Sequence, residues 1–210
     1  MARRTKEEAA KTRAQILDSA LSLFVKKGYD RTTFNDIASR LKLTKGAVYW
    51  HFESKDALLV AILDDMFKSF ERQFTSFRAV RGVDDGDLTF GLVADLMVKT
   101  ARMVVSSRKL SSFFMLMKCQ MKWRDVSMSK VRENLISNER FGPMQAFRCA
   151  IESDIKAGRV RRDVDAMQVS TVCIALWDGL VQGRIDNFLS CDLEDTLRKS
   201  YEAVWRSMKV

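Results

Sequence analysis

Thr33-Phe34-Asn35-Asp36-Ile37-Ala38-Ser39-Arg40-Leu41-Lys42-Leu43-Thr44-Lys45-Gly46-Ala47-Val48-Tyr49-Trp50-His51-Phe52 carries two short helical patterns joined by a tight connection. Thr33 followed by Asp36 is a capping-box-like start, in which each side chain bonds the other's backbone N–H. Ile37, Ala38 and Leu41 then fall on one helical face. Leu43 packs the connection, and Thr44 is a second N-cap candidate. Ala47, Val48 and Phe52 form the next apolar stripe, which leaves Lys45, Gly46, Tyr49, Trp50 and His51 facing outward. Two helices so arranged have the layout of a helix-turn-helix, whose second helix enters a DNA major groove by its N-terminal residues.

The rest of the chain reads as long helices. Across 210 residues there are only 9 Gly and 1 Pro, and 47% of the residues are hydrophobic, enough for a core. Upstream of the quoted stretch, a first helix is expected from near Thr5, where Thr5 and Glu8 repeat the capping-box spacing. Ile16, Leu17, Ala20, Leu23 and Phe24 recur on its inner face, and Gly28 is the expected C-cap. Downstream, Ser54 caps a fourth helix running to about Phe77, with Phe67, Phe70, Phe74 and Phe77 on one aromatic face. A polar loop at 81–87 precedes a fifth helix with Leu92, Val93, Leu96, Met97, Thr100 and Val104 inside. A sixth is expected at 109–122 and a seventh at 128–157, kinked or broken at Pro143 and ended by Gly158. The eighth covers about 165–189 and the ninth about 193–209, with Leu193, Leu197, Tyr201, Val204, Trp205 and Met208 in register. The expected architecture is all-α with about nine helices, a three-helix domain at 1–54 followed by a larger helical domain at 55–210.

Charge supports a nucleic-acid partner for the first part. The net charge is +9, and residues 1–60 hold 12 Lys and Arg against 7 Asp and Glu. Positive density is thus concentrated beside the helix-turn-helix, where phosphate neutralisation needs it. Cys119, Cys149, Cys173 and Cys191 show no Cys-x-x-Cys pair and only one His accompanies them, so no metal and no cofactor are expected. Each Cys is read as a small buried apolar residue. With no signal peptide and no apolar run approaching a membrane span, the expected location is cytoplasmic, without membrane contact. An enzyme is disfavoured: His51 has no partner constellation, and there is no Gly-rich phosphate loop.

The eighth helix is apolar on more than one side, through Val169, Val172, Cys173, Leu176, Trp177, Leu180 and Val181. Such a helix is buried on most sides, either inside its own chain or at a subunit interface.

The residues Arg13, Ile16 to Ala20, Phe24, Gly28-Tyr29, Thr32 to Ala38, Thr44 to Phe52 and Lys55 closely resemble the TetR family of one-component regulators. Ala47 to Phe52, taken with the opening Met1 to Ala9, is similar to its AcrR/TtgR branch, which represses multidrug-efflux operons. Lys118-Cys119 and Asp178-Gly179-Leu180 carry a weaker likeness, and the neighbourhood of Cys119 departs from the branch.

On the DNA side, Lys45 at the start of the recognition helix can reach guanine or a phosphate. Gly46 allows close backbone approach, and Ala47 offers a methyl to thymine. The resemblance implies a base or backbone contact for Tyr49. It implies phosphate contacts for Trp50, His51 and Lys55, and for Thr33 and Thr44 through hydroxyls and helix-terminus amides. Trp50 could instead pack between helices. On the effector side the resemblance implies a cavity enclosed by helices four to eight. The lining it suggests is Met66, Phe70, Met97, Phe113, Leu116, Met117, Phe147, Ile174, Trp177, Asp178 and Val181. Met and Phe suit varied apolar ligands, though such a stripe is otherwise ordinary core. Asp178 needs a partner in its apolar helix, a ligand donor or a base such as Arg184.

Together these imply a homodimeric, ligand-responsive repressor of an efflux-type operon. It would bind a palindromic double-stranded DNA operator and be released by an apolar or amphipathic small molecule. The competing reading keeps the fold and the DNA but replaces the effector with a protein partner, or with none.

Overall fold

Short polar side chains start the helices. Thr33 and Asp36 close a reciprocal capping box, Thr44 Oγ1 accepts from the Ala47 N–H at 3.1 Å, and Ser54 Oγ from the Ala57 N–H at 3.0 Å. Thr89, Asp165 and Asp192 cap three later helices in the same way. The computed structural model describes residues 6–81, 88–120 and 142–210, which hold nine α-helices. They are α1 (Lys6–Lys27), α2 (Phe34–Leu41), α3 (Lys45–His51), α4 (Lys55–Arg81), α5 (Phe90–Ser106), α6 (Arg108–Met115), α7 (Pro143–Lys156), α8 (Ala166–Ile185) and α9 (Leu193–Met208). Among the described residues the only β pairing is one isolated bridge, Val160 with Lys209.

The all-α expectation holds, with adjustments. α4 continues four residues beyond Phe77. α6 ends early and passes into a π-helical turn, Leu116–Gln120. Pro143 does not kink a long seventh helix: it occupies the first turn of α7, where its missing N–H has no partner to lose. The expected helical stretch 128–141 and the cap at Thr5 lie outside the described residues. Gly28 has the left-handed φ of +89° that ends α1, and its N–H reaches the Phe24 carbonyl at 2.9 Å.

Two compact units divide the chain. One contains 6–68 and 108–120, the other 69–81, 88–107 and 142–210, so the division does not run at 54/55. The reason is burial: Leu58, Leu59, Ile62, Leu63 and Met66 of α4 lie in the core of the first unit, and α6 packs on α1. Lys109 on α6 also bridges Asp18 at 2.7 Å and Asp65 at 3.4 Å.

The second unit is an aromatic core. Phe90, Phe147 and Tyr201 are buried with ring centroids 5.5 to 6.4 Å apart, and the Trp205 ring stacks on Phe90 at 5.7 Å. Asp154 is fully buried at the end of α7. Its carboxylate accepts the Phe90 N–H at 2.8 Å and the Arg159 Nε–H at 2.7 Å, which caps α5 from across the unit. α8 buries Ser170, Cys173, Trp177 and Val181 but exposes Met167 and Val172. After α8 the chain folds back over Gly183, whose carbonyl accepts the N–H groups of Phe188 and Leu189. A Cβ at Gly183 would lie 2.6 Å from Leu189 Cδ1, so a larger residue there would have to push the Leu189 side chain aside.

Candidate nucleic-acid interface and effector region

The head presents α3 to solvent by burying the other side. Val48 and Phe52 are buried, with Ile37 and Ala38 of α2 facing the same core. What remains outward is Thr44, Lys45, Gly46, Tyr49 and Trp50. Trp50 is 73% exposed and Tyr49 49% exposed, which answers the alternative for Trp50: it does not pack between helices. Tyr49 rests edge-on against Phe34 at 4.8 Å, with the Lys45 ammonium 5.6 Å from its ring, so both side chains are held near the start of α3. His51 is half-buried, edge-on to Trp50 at 4.6 Å. A Cβ at Gly46 would meet nothing nearer than Thr44 Oγ1 at 3.9 Å, so no internal packing requires glycine there. Ala47 is half-buried and Thr33 exposed.

Lys55 is placed differently from the rest. Its ammonium donates to the carbonyl oxygens of Tyr29 at 2.8 Å, Asp30 at 3.1 Å and Thr32 at 3.3 Å, and lies 4.4 Å from the Tyr29 ring. The Tyr29 hydroxyl donates to Asp56. Burial, then that hydrogen bond, raises the Tyr29 phenol well above its ordinary pKa. Periodicity could not reveal this cluster, because its partners are more than twenty residues apart in sequence and belong to no single helix face. Lys27 reaches Asp36 at 2.6 Å, and this bond, followed by those from Thr33, holds the Asp36 carboxyl down to about 2.

The expected effector residues divide between the units. Met66, Phe113, Leu116 and Met117 lie in the first, and Phe70, Met97, Phe147, Ile174, Trp177, Asp178 and Val181 in the second. Most are core: Leu116, Phe147 and Val181 have no exposed surface, and Met66, Met97 and Phe113 very little. Trp177 is 7% exposed, and its indole N–H donates to the Met97 carbonyl at 2.8 Å, tying α8 to α5. Phe70, Met117, Ile174 and Asp178 are half-buried. The Asp178 charge is felt at Tyr201, whose phenol is raised above its ordinary range first by burial, then by Cys173 and Asp178. A groove of about 460 Å³ opens elsewhere on the second unit, between Phe90, Ala94, Val98, Arg198 and Trp205, and none of the expected lining residues borders it.

Among the cysteines only Cys173 fits the buried reading; Cys149 is exposed on α7 and Cys191 in the connection between α8 and α9, and the Cys119 side chain is outside the described set. Burial pushes the Cys173 thiol up to about 12. Among the described residues no three His, Cys, Asp or Glu are grouped to hold a metal, and no helix is long and apolar enough to cross a membrane.

Residues 16–62 match the family model for bacterial regulatory proteins of the tetR family. The chain is 29% identical over 184 residues to the HTH-type transcriptional regulator TtgR of Pseudomonas putida, covering 87% of this chain and 84% of that one. Its fold matches NalD, the secondary repressor of the MexAB-OprM multidrug efflux pump in Pseudomonas aeruginosa, with a TM-score of 0.76 at 20% identity, over 97% and 98% of the two chains. The SmeT–triclosan complex, of the Stenotrophomonas maltophilia SmeDEF pump repressor, matches with a TM-score of 0.76 at 19% identity, over 95% and 92%.

Proposed function

We propose, for a chain that belongs to the TetR family of DNA-binding regulators in its AcrR/TtgR branch, a homodimeric repressor of an efflux-type operon that an apolar or amphipathic small molecule releases from its operator. The observation that carries the DNA half is the outward face of α3. Lys45, Tyr49 and Trp50 stand exposed in the more basic part of the chain, backed by a buried core that fixes their direction. Base edges in a major groove are read by side chains so held, while phosphate contacts supply most of the affinity.

One head offers few contacts. Two heads on successive major grooves, about 34–36 Å apart, require two copies and a near-palindromic site. Met167 and Val172 on α8, and the 84%-exposed Phe188 in the connection from α8 to α9, support this end of the chain as the pairing face. Sedimentation at micromolar concentration should show a dimer; a monomer with full operator affinity would overturn the pairing.

The effector half rests on the NalD-like and SmeT-like fold, on the Phe- and Met-rich helices, and on the half-buried Phe70, Ile174 and Asp178. A ligand acts only through its differential affinity for the DNA-competent and released states, so DNA weakens its binding by the same factor. Sequences retained by the protein from a random DNA pool should share a palindrome, and triclosan should lower affinity for it. Retention of DNA without a common sequence would overturn the repressor reading. A palindrome insensitive to triclosan and to a panel of apolar drugs, with no thermal shift, would favour control by a protein partner.

A further inference from the structure

We propose that Lys55 is a positioning residue for DNA binding, its ammonium tying the turn between α1 and α2 to the start of α4 and so fixing the reach of α2 and α3 without touching phosphate. The inference rests on the reading of the α3 face as the DNA surface.

An ammonium has three N–H donors, and three backbone carbonyls converge on this one, from Tyr29, Asp30 and Thr32. The Tyr29 ring covers it from the side at 4.4 Å. A phosphate oxygen could bind only by displacing one of these partners. The turn itself is already built, with the Thr32 hydroxyl donating to the Gly28 carbonyl at 2.7 Å and the Thr32 N–H to the Tyr29 carbonyl at 3.2 Å. Thr32 is buried, and Tyr29 is wedged edge-on against Phe24 at 5.0 Å.

A second tie comes from the next residue of α4. Asp56 accepts the Tyr29 hydroxyl, so the first two residues of α4 grip one turn from two directions. That turn leads straight into Thr33, the cap of α2, and α2 packs on α3. Freeing Lys55 therefore leaves α3 attached and folded but lets the head shift on α4. Such a change misplaces base contacts, which tolerate little displacement, more than it weakens the diffuse attraction between a basic head and phosphate.

The test uses the full chain, a selected operator fragment and random-sequence DNA, with affinity followed across potassium chloride concentrations well below the melting temperature. Lys55→Met should lower operator affinity about tenfold, barely alter random-DNA affinity and leave the salt slope unchanged. Lys55→Arg should behave like Lys55→Met, because a planar guanidinium cannot reproduce the three-carbonyl grip although it keeps the charge. Tyr29→Phe, which keeps the fold if Lys55→Met does not, should lower the ratio of specific to random binding in the same direction, about threefold.

A salt slope reduced by about 1 in Lys55→Met and restored in Lys55→Arg would make Lys55 a phosphate contact and overturn the proposal. Unchanged operator affinity in all three variants, with only the melting temperature lowered, would overturn it as well. A wild-type chain that bound neither DNA at any salt would fail the reading of the α3 face itself, a result separate from either of these.

Discussion

Trp50 on α3 and Trp177 on α8 are the same residue in opposite situations. Trp50 is 73% exposed at the end of a seven-residue helix; Trp177 is 7% exposed, with its N–H bonded to the Met97 carbonyl across the second unit. On α3 the fold uses Val48 and leaves the larger side chains outside. On α8 it uses the tryptophan as a brace between helices. A large aromatic side chain in a sequence signals a contact somewhere, and burial decides whether its partner is this chain or another molecule.

Trp177→Ala should break the second unit first. It removes a buried indole and the second hydrogen bond that the indole gives to the Met97 carbonyl, and should cost about 3–5 kcal/mol in urea unfolding. Trp50→Ala should stay within about 0.5 kcal/mol of wild type in the same experiment and lose DNA affinity instead. Equal destabilisation by both would dissolve the contrast.

Asp154→Ala tests whether the second unit depends on its buried polar tie as well. The Phe90 N–H loses its acceptor and Arg159 its ion partner, for about 1.5–3 kcal/mol of stability. An unchanged melting curve would show that water replaces the carboxylate at no cost.

Lys45→Ala and Tyr49→Ala sharpen the other side. Each should reduce discrimination between operator and mismatched DNA by about 1–3 kcal/mol if it removes a base contact, with no change in unfolding. The result to look for is a competition titration in which the operator loses its advantage over random sequence.

The smallest effect is electrostatic. Asp36 is held down to about 2 from an ordinary 3.8, chiefly by Lys27 and then by Thr33, so its contribution is present above pH 4 and lost as pH falls towards 2. Asp36→Asn should flatten that part of the head's stability profile; an unaltered acid limb would show the pair to be without consequence. The carboxylate sits half-buried at the surface, where solvent screens it, so the change is expected to be slight.

Sequence reasoning reached the head more fully than the second unit, for a physical reason. Caps such as Thr33, Thr44 and Ser54 act on amides two or three residues away, and apolar spacing along α2 and α3 shows which face turns inward. Both signals lie within a few residues of text. The grip of Lys55 on 29–32, the shared Lys109 ammonium and the Asp154 cap join residues 23 to 91 positions apart. No local pattern encodes them. Likewise the Met and Phe stripe was legible as apolar, but whether Phe147 packs against Phe90 or faces a cavity is set by helices far along the chain.

The Asp154 cap also bears on how the protein is made. α1, α2, α3 and the first half of α4 finish much of their mutual packing within the first 68 residues, though α6 joins them later. α5 cannot: its first amide waits for Asp154, and the indole and guanidinium that tie it into the second unit come from Trp177 and Arg198. A chain synthesised from its amino end therefore carries an apolar helix that α7 and α8 cover only in part until the final helix has emerged. During that interval newly made α5 is the segment most open to chaperone capture or to sticking to a sister chain.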